Sequence, residues 1–359
     1  MKVEDKNIIW LDTFEFLTYH KKDKILKLFA HNEDIRKEFL KNPHLKEILN
    51  EHELRKMSIC LEDRFLERKI EEYASKNVQC ITINDERYPS LLKEIPTPPF
   101  CLYCKGNISL LNTLCLGVVG SRKPTDYGLV ITKQFSKELA KNNITIVSGM
   151  ALGVDSIAHK SVLEENGNTI AVLGGGFNYI YPASNISLSK QIEENNLLVS
   201  EYNPNIKPET YYFPARNRII AGLSRGVLVT EAREKSGALI TIDYAIEFNR
   251  DIFAIPGKIN SDMSKGTNAL IKSLQSCIVL EPKDILDAWN ILEVTNTNKT
   301  TQLNMNSEIV LSFIKTENKT FQELVELTKI PTKELNTILM ELEMEGIVTK
   351  LSGNRYIAS

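Results

Sequence analysis

The chain has 359 residues, of which 42% are hydrophobic and 25% are charged. This composition excludes extended disorder, and the length predicts two or three domains. The formal net charge of −2 excludes a globally basic nucleic-acid binder but not a local basic patch. No apolar run of about 18 residues occurs, and the N-terminus lacks a signal-like apolar region. We therefore expect no membrane partner and a cytoplasmic location.

Residues 1–76 predict a helical module. Apolar side chains recur at three- and four-residue spacing in KILKLFAHNEDIRKEFL and LEDRFLERKIEEYASK, which is the pattern of amphipathic helices. A helix-hairpin that binds the DNA backbone needs a glycine-rich turn, and no glycine precedes Gly106. A docking or linker role is at least as well supported.

Residues 77–290 predict an α/β domain. After the strand VQCITIND, apolar segments alternate with helical patterns in the order LCLGVVGSR, ITIVSGMA, NTIAVLGGG, LLVSEY, GVLVTEA, DIFAIPG and SCIVLEP. Strands that alternate with helices of about 10–15 residues form a parallel sheet with helices on both faces. The predicted fold class is therefore α/β, with a doubly wound, mostly parallel sheet.

The end of the chain predicts a linker followed by a winged helix. Residues 291–305 are polar, rich in Thr and Asn and without period. Residues 306–359 show two short helices, a third helix begun by proline, and a hairpin with its tip at Ser352, Gly353 and Asn354. This tail carries six Lys or Arg against eight Glu, and a net negative surface binds phosphates poorly. We expect a protein contact or autoinhibition rather than duplex binding.

The six cysteines are too sparse for a disulfide scaffold. Cys101 and Cys104 form a C-x-x-C, but no second pair or paired histidine follows to complete a zinc site. We interpret the pair as two thiols on a short apolar strand and predict neither a metal nor a cofactor.

The carboxyl ends of the predicted strands carry mostly small residues. Ligands of open parallel sheets bind outside these ends, where glycine permits close approach and helix N-termini attract anions. Several such ends side by side predict an anion-binding rim. The residues are Gly120, Ser121 and Arg122; Ser148 and Gly149; Gly174, Gly175 and Gly176; Ser200 and Glu201; Glu231, Ser236 and Gly237; and Pro256 and Gly257. Neither a dinucleotide fingerprint nor a P-loop is present.

Residues 211–225 concentrate positive charge. The segment contains three arginines and no acid, and three aromatic residues precede the arginines. Guanidinium groups bind phosphate oxygens, and aromatic rings stack on unpaired bases. The alternative is that the arginines pair with Glu201 or Glu231 or satisfy helix ends. Because Arg216 and Arg218 are two apart on a helix, one can contact a ligand while the other is structural. The segment's candidate residues are Tyr211, Tyr212, Phe213, Arg216, Asn217, Arg218 and Arg225.

A hydrolytic site could be drawn from Asp155 and His159, which lie on one helix face, together with Ser148 or Ser236. No G-x-S-x-G elbow is present, however. We predict instead that His159 is a hydrogen-bonded core residue and that Asp155 supports the turn at Ser148 and Gly149.

The order and spacing of several motifs resemble the DprA/Smf family of bacterial DNA-processing proteins. The motifs are GVVGSR (117–122), SGMALGVDSIAHK (148–160), TIAVLGGGFNYIYPASN (169–185), SEYNPNIKPETYYFPARNRIIAGLSRGVLVTEAREKSGALITIDYA (200–245) and FAIPGKINSDMSKGTNALI (253–271). The resemblance implies an extended Rossmann-like fold, an N-terminal SAM-like module and a winged helix. It also implies a non-enzymatic homodimer that binds single-stranded DNA without sequence preference, protects incoming DNA in natural transformation and helps to load the RecA recombinase.

The resemblance also implies which residues bind DNA. Phosphates would lie along the rim, neutralised by amides of the glycine turns and by Arg122 and Arg216, while Phe213 would contact a base. The implied DNA-binding residues are Gly120, Ser121, Arg122, Phe213, Arg216, Asn217 and Arg218, with Ser148, Gly149, Gly174 and Gly175 as the pocket floor.

Two other functions stay open, and so does the dimer face. Related folds include phosphoribohydrolase-like, nucleotide-processing enzymes with a PGGxGTxxE-type loop. Here Gly176 is followed by Phe177 rather than by Gly-Thr, although Glu231 remains available. A protein–protein adaptor is the third possibility. The stretch after Pro256 is a candidate dimer face because it closes the sheet edge.

Overall fold

The computed structural model describes residues 2–29, 33–293, 304–315, 317–344, 346–351 and 353–358. These residues form an N-terminal set of helices, a central sheet with helices on both faces, and a small C-terminal unit with its own sheet. Most of the predicted linker, residues 294–303, lies outside the described residues, as does Ser352 at the predicted hairpin tip.

The central sheet is mostly parallel, as predicted. Its strands are β1 (Gln79–Thr82), β2 (Cys101–Gly106), β3 (Cys115–Val119), β4 (Thr145–Ser148), β5 (Thr169–Leu173), β6 (Leu197–Ser200), β7 (Gly226–Val229), β8 (Asp251–Ala254) and β9 (Cys277–Ile278). Their order across the sheet is β1-β2-β6-β5-β4-β3-β7-β8-β9. Neighbours from β6 to β9 pair in parallel, and β2 pairs antiparallel with both β1 and β6.

Helices cover both faces of this sheet because successive strand residues point to opposite sides. On β3, Leu116 and Val118 belong to one apolar cluster and Cys115 and Val119 to another. The first face packs α8 (Asp126–Lys141), α9 (Val154–Glu164) and α14 (Pro282–Ala288), and the second packs α7 (Ser90–Lys93), α11 (Tyr212–Leu223), α12 (Gly237–Glu247) and α13 (Lys265–Lys272). The doubly wound prediction is confirmed.

The N-terminal helices share a hydrophobic core with the sheet. They are α1 (Val3–Asp12), α2 (Tyr19–Lys27), α3 (Ile35–Glu38), α4 (Leu45–Ile48), α5 (Glu51–Ser58) and α6 (Asp63–Ser75). Their buried residues, such as Trp10, form one cluster with Tyr103 of β2, Leu198 of β6 and Ile192 of α10 (Ile186–Asn195). The Tyr103 hydroxyl donates to Asp12 Oδ2 at 2.8 Å across this contact. The helices therefore dock on the sheet, which favours the docking role over that of a linker.

The C-terminal unit is a winged helix, as predicted. Its elements are α15 (Met305–Ile314), β10 (Lys319–Thr320), α16 (Phe321–Thr328), α17 (Thr332–Met344), β11 (Val348–Leu351) and β12 (Arg355–Ala358). It has its own apolar cluster, and β11 and β12 pair antiparallel. The C-terminal unit contacts the α/β domain through a partly exposed ion pair, in which Arg355 Nη2 lies 3.1 Å from Asp126 Oδ2 at the start of α8.

Cys101 and Cys104 both lie buried on β2, which is the predicted strand with two thiols. The pKa of both thiols is raised, that of Cys101 by its hydrogen bond with Cys80 and by burial and that of Cys104 by burial, so neither is a ready thiolate at neutral pH. Within the described ranges, no group of three His, Cys, Asp or Glu side chains could hold a metal ion. No helix in the same ranges is long and apolar enough to cross a membrane.

Candidate functional site

The strand order reverses at β3, which places a crevice there. From β3 the chain adds β4, β5 and β6 on one side, and α11 then returns it to β7 on the other side. At such a switch point the loops that follow the two neighbouring strands run apart, and ligands bind between them. A cavity of about 450 Å³ opens at this point, between the loop Gly120–Lys123, the segment 233–241 and the start of α11.

Glu231 fixes the loop that carries Arg122. Its backbone carbonyl accepts from the Ser121 amide at 2.8 Å. Its buried carboxylate accepts from the Thr125 amide at 2.8 Å and from Thr125 Oγ1 at 2.6 Å. Gly153 completes the support, since it has a φ of +76° and a Cβ there would collide with the Ser121 carbonyl oxygen. Arg122 is thus presented, exposed, on a rigid loop at the cavity mouth, and Glu231 does not line the cavity.

Arg216 forms a buried positive charge in the cavity wall. Its side chain comes from the second turn of α11, is 4% exposed, and donates through Nη1 to the carbonyls of Gly149 and Val172. Burial lowers the pKa of the Arg216 guanidinium to about 10, which Asp155 opposes and the charge of Arg122 reinforces. The group is therefore protonated at neutral pH and close enough to Arg122 for the two charges to repel each other.

Asp155 supports the turn after β4, as predicted. Its Oδ2 accepts from the amides of Gly149 at 3.1 Å and Ala151 at 3.2 Å. Burial raises the pKa of this carboxyl, while the Arg216 charge and the two amides oppose that shift. Asp155 therefore stabilises the backbone turn that contacts Arg216, and the Gly149 amide is not free to bind a ligand.

The charge on the cavity lining is strongly unbalanced. The basic side chains on the lining are Arg122, Lys123, Arg216, Arg233 and Lys235, and the acidic one is Asp155. We did not select Lys123, Arg233 or Lys235 from the sequence. The last two follow β7 in the segment EAREKSG, where two glutamates, one before Arg233 and one between Arg233 and Lys235, balance the two positive charges. A chain with a net charge of −2 thus carries a cavity in which cations predominate.

The structure separates the predicted site residues into two groups. Those on the cavity lining are Gly120, Ser121, Arg122, Phe213, Arg216 and Asn217. Those off the lining are Ser148, Gly149, Gly174, Gly175 and Arg218. Ser148 Oγ donates to the Val118 carbonyl at 2.7 Å, and a Cβ on Gly174 would lie 2.8 Å from the Phe213 ring. The expectation of free amides at every glycine turn is wrong for Gly149, whose amide already donates to Asp155.

The three arginines of residues 211–225 do not converge. Arg218 donates from Nη2 to the Glu201 carboxylate, so the alternative of an ion pair describes this residue. Arg225 immediately precedes β7, at the amino ends of the parallel strands and so away from the cavity, and its guanidinium carbon lies 5.0 Å from the centre of the Trp289 ring. Arg216 alone of the three reaches the cavity.

His159 is a core residue, as predicted, and no triad forms. Its Nδ1 lies 2.7 Å from Thr169 Oγ1, whose proton is donated to the Ile146 carbonyl at 2.7 Å. Nε2 is buried without a hydrogen-bond partner among the described residues. Burial lowers the pKa of His159 to about 3, so the neutral ring is the native form.

The buried His159 predicts acid sensitivity. The imidazole of His159 has a pKa of about 6.5 in the unfolded chain and about 3 in the folded chain. Its contribution to the free energy of unfolding is therefore complete above pH 6.5 and falls as the pH drops below that value. At pH 5 the loss is about 2 kcal/mol from this group alone. We expect His159→Asn to show a smaller fall in Tm between pH 7 and pH 5 than the wild type.

The control for this measurement is His44→Asn, because His44 is exposed. It should retain the wild-type difference in Tm between the two pH values. An unchanged difference in His159→Asn would show that other groups cause the acid sensitivity.

Comparison with known proteins places the chain in a family. Residues 79–290 match the family described as DNA recombination-mediator protein A, and residues 299–354 match the DprA winged helix domain. Protein Smf of Synechocystis sp. is 39% identical over 80% of this chain and 82% of its own length.

Two solved structures are also similar. DNA processing protein A (DprA) of Streptococcus pneumoniae superposes with a TM-score of 0.69 and 34% identity, over 80% of this chain and 98% of that one. DNA processing protein A of Helicobacter pylori, described for its unique single-stranded DNA binding mode, superposes with a TM-score of 0.55 and 33% identity, over 59% of this chain and 95% of that one. The extended Rossmann-like architecture is shared with these structures, and the chain belongs to the DprA/Smf family.

Proposed function

We propose that the cavity binds the backbone of single-stranded DNA. The observation that carries this proposal is the charge of the lining, which holds five basic side chains and one carboxylate. That carboxylate, Asp155, already accepts from two backbone amides and interacts with the charge of Arg216. Phe213 lies on the same lining and offers a ring to an unpaired base. The single-stranded DNA binding mode described for the Helicobacter pylori protein supports the same assignment.

The proposed DNA-contacting residues are the lining residues named from the sequence together with the additional cations. They are Gly120, Ser121, Arg122, Lys123, Phe213, Arg216, Asn217, Arg233 and Lys235. Guanidinium and ammonium groups contact phosphates, which carry no sequence information. Binding is therefore independent of the DNA sequence. Ser148, Gly149, Gly174 and Gly175, which lie off the lining, support the residues that form it.

The test is a salt titration with single- and double-stranded oligonucleotides of equal length. Single strands should bind more tightly, and log Kd should rise linearly with log salt by about 0.7 for each phosphate contacted. Equal affinity for an uncharged polymer would instead favour the protein–protein adaptor.

The chain is not proposed to be an enzyme. Asp155, the carboxylate on the cavity lining, is already engaged by backbone amides, and Glu231, behind the loop that carries Arg122, is engaged by Thr125. Neither is placed to act as a general base on a bound nucleotide. Incubation with nucleoside monophosphates should release no free base, and release of base would support the phosphoribohydrolase-like alternative.

We also propose a homodimer that meets through the edge at β9. Ile278 on this short edge strand is 52% exposed, and Leu274 before the strand and Leu280 after it are 91% and 72% exposed. Such a patch beside an unpaired strand edge favours association. We expect the double variant Leu274→Glu/Leu280→Glu to sediment as a monomer and to lose affinity for long strands more than for short ones, since linked sites raise effective concentration.

A matched control is Leu40→Glu, which places the same charge on an apolar side chain that is exposed on the N-terminal helices. It should sediment like the wild type. A wild-type chain that is monomeric at micromolar concentration, or a double variant that keeps the dimer mass, would contradict the proposed face.

The last part of the proposal is that the chain protects incoming single-stranded DNA in transformation and helps to load RecA on it. The family description as a recombination mediator supports this role. The chain should shorten the lag of RecA ATP hydrolysis on DNA that is coated with single-strand-binding protein, and Arg122→Ala should lose that effect. An unchanged lag with the wild type would remove the RecA role without affecting DNA binding.

A further inference from the structure

An aromatic surface continues from the cavity across the loop that follows β5. Phe213 lies on the cavity lining, and the ring of Tyr181 lies 5.4 Å from it, between ring centres, at 45°. Tyr179 is two residues away on the same loop, and Lys207 Nζ lies 5.7 Å from the centre of its ring. We call Phe213, Tyr181, Tyr179 and Lys207 the aromatic ledge.

Two of the three ledge rings are open to solvent, and the third, Phe213, is half-buried. Tyr181 is 58% exposed and Tyr179 is 40% exposed, although large aromatic side chains normally bury most of their surface in a core. The rings stand beside a charged cavity and one of them, Tyr179, lies next to a lysine, and aromatic rings combined with positive charge are found in grooves that bind single strands. The ledge is therefore suited to unpaired bases whose phosphates start in the cavity.

The glycines after β5 position this ledge. A Cβ on Gly174 would lie 2.8 Å from the Phe213 ring, and one on Gly175 would lie 3.1 Å from Pro208, the neighbour of Lys207. The two adjacent glycines thus let Phe213 and the segment with Lys207 lie directly on the backbone. Their role, on this geometry, is to seat the ledge rather than to bind the ligand through their amides.

Hydrogen bonds between two loops hold the ledge in place. The Gly176 amide donates to the Ile206 carbonyl at 2.8 Å, and the Asn178 amide donates to the Pro204 carbonyl at 3.0 Å. Asn178 Nδ2 also donates to Asn205 Oδ1 at 2.6 Å. A surface fixed in this way loses little conformational freedom when a ligand stacks on it.

We propose that the DNA strand leaves the cavity across the aromatic ledge, with successive bases stacked on Phe213, Tyr181 and Tyr179 and a phosphate near Lys207. This inference rests on the proposed function, because it extends the same bound strand. It adds that affinity depends on the bases as well as on the backbone, and it gives the strand a direction, from the basic loops after β3 and β7 towards the loop after β5.

The test compares oligo-dT with a strand of equal length in which abasic sites replace the bases. On oligo-dT, Tyr181→Ala should weaken binding by about fivefold to a hundredfold, because stacking on one ring is lost. On the abasic strand the same variant should bind like the wild type. Its salt slope should be unchanged, since the number of neutralised phosphates stays the same. Tyr181→Phe keeps the ring and should bind oligo-dT like the wild type.

Arg122→Ala separates the two ways of failing. If it weakens binding to both strands while Tyr181→Ala matches the wild type on oligo-dT, the cavity binds DNA and the ledge does not. If Tyr181→Ala weakens both strands equally, the ledge acts through something other than base stacking, and the inference is overturned. If the wild type binds neither strand, the proposed function fails as well.

Discussion

Arg122→Ala is expected to weaken single-stranded DNA binding by about tenfold to a hundredfold, which corresponds to removing one or two hydrogen bonds to a charged group. Arg122 is exposed on a loop that Glu231 and Thr125 hold in place, so its removal changes how the ligand is bound without disturbing the fold. The factor should be the same for oligo-dT and mixed sequences. The slope of log Kd against log salt should fall by about 0.7 for each phosphate that the variant no longer neutralises. Fluorescence anisotropy over a salt series measures both quantities.

Arg225→Ala is the matched control, since it removes the same charge at the amino ends of the parallel strands, beside Trp289 and away from the cavity. General electrostatic attraction would respond equally to both substitutions, whereas a cavity site responds only to Arg122. If both variants bind more weakly by the same factor, or if neither does, Arg122 is not a specific phosphate ligand.

The sequence predicted the sheet well because its strands are buried on both faces. β3, β4 and β5 are short apolar runs, each followed by small residues and an amphipathic helix, so local pattern and tertiary structure agree. The alternation of strands and helices also predicted that the ligand site lies at the carboxyl ends of the strands. It could not predict which strands flank the crevice, because that depends on the crossover that places β7 beside β3.

Side-chain direction limited the prediction of the site. Arg216, Arg218 and Arg225 look equivalent in sequence, but 100° per residue along α11 sends the first into the cavity and the second towards Glu201, and the third lies beyond the helix end. Arg233 and Lys235 were missed because Glu231 and Glu234 balance their charge in the sequence. In the fold, only the two cations lie on the cavity lining. Gly174 and Gly175 lie off the cavity lining, and a glycine that admits a ligand looks the same in sequence as one that admits a side chain.

Arg216→Ala is expected to lose both stability and DNA binding. It removes the donor to the carbonyls of Gly149 and Val172, and it removes the positive charge that opposes the raised pKa of the buried Asp155. Leaving a buried acceptor without its donor costs about 1–3 kcal/mol, so losing both bonds should lower Tm on the order of 10 °C for a domain of this size. Binding should be undetectable even at temperatures where the variant is folded, because the central positive charge of the cavity is gone.

Arg218→Ala separates these two effects, since it lies on the same helix, two residues away. It breaks the pair with Glu201 and should also lower Tm, but its side chain lies off the cavity lining. At a temperature where both variants are folded by circular dichroism, Arg218→Ala should bind oligo-dT like the wild type and Arg216→Ala should not. Equally weak binding by both would mean that binding reports the stability of α11 rather than a charge in the cavity. Weak binding by Arg218→Ala alone would move the DNA site to the Glu201 side of the helix.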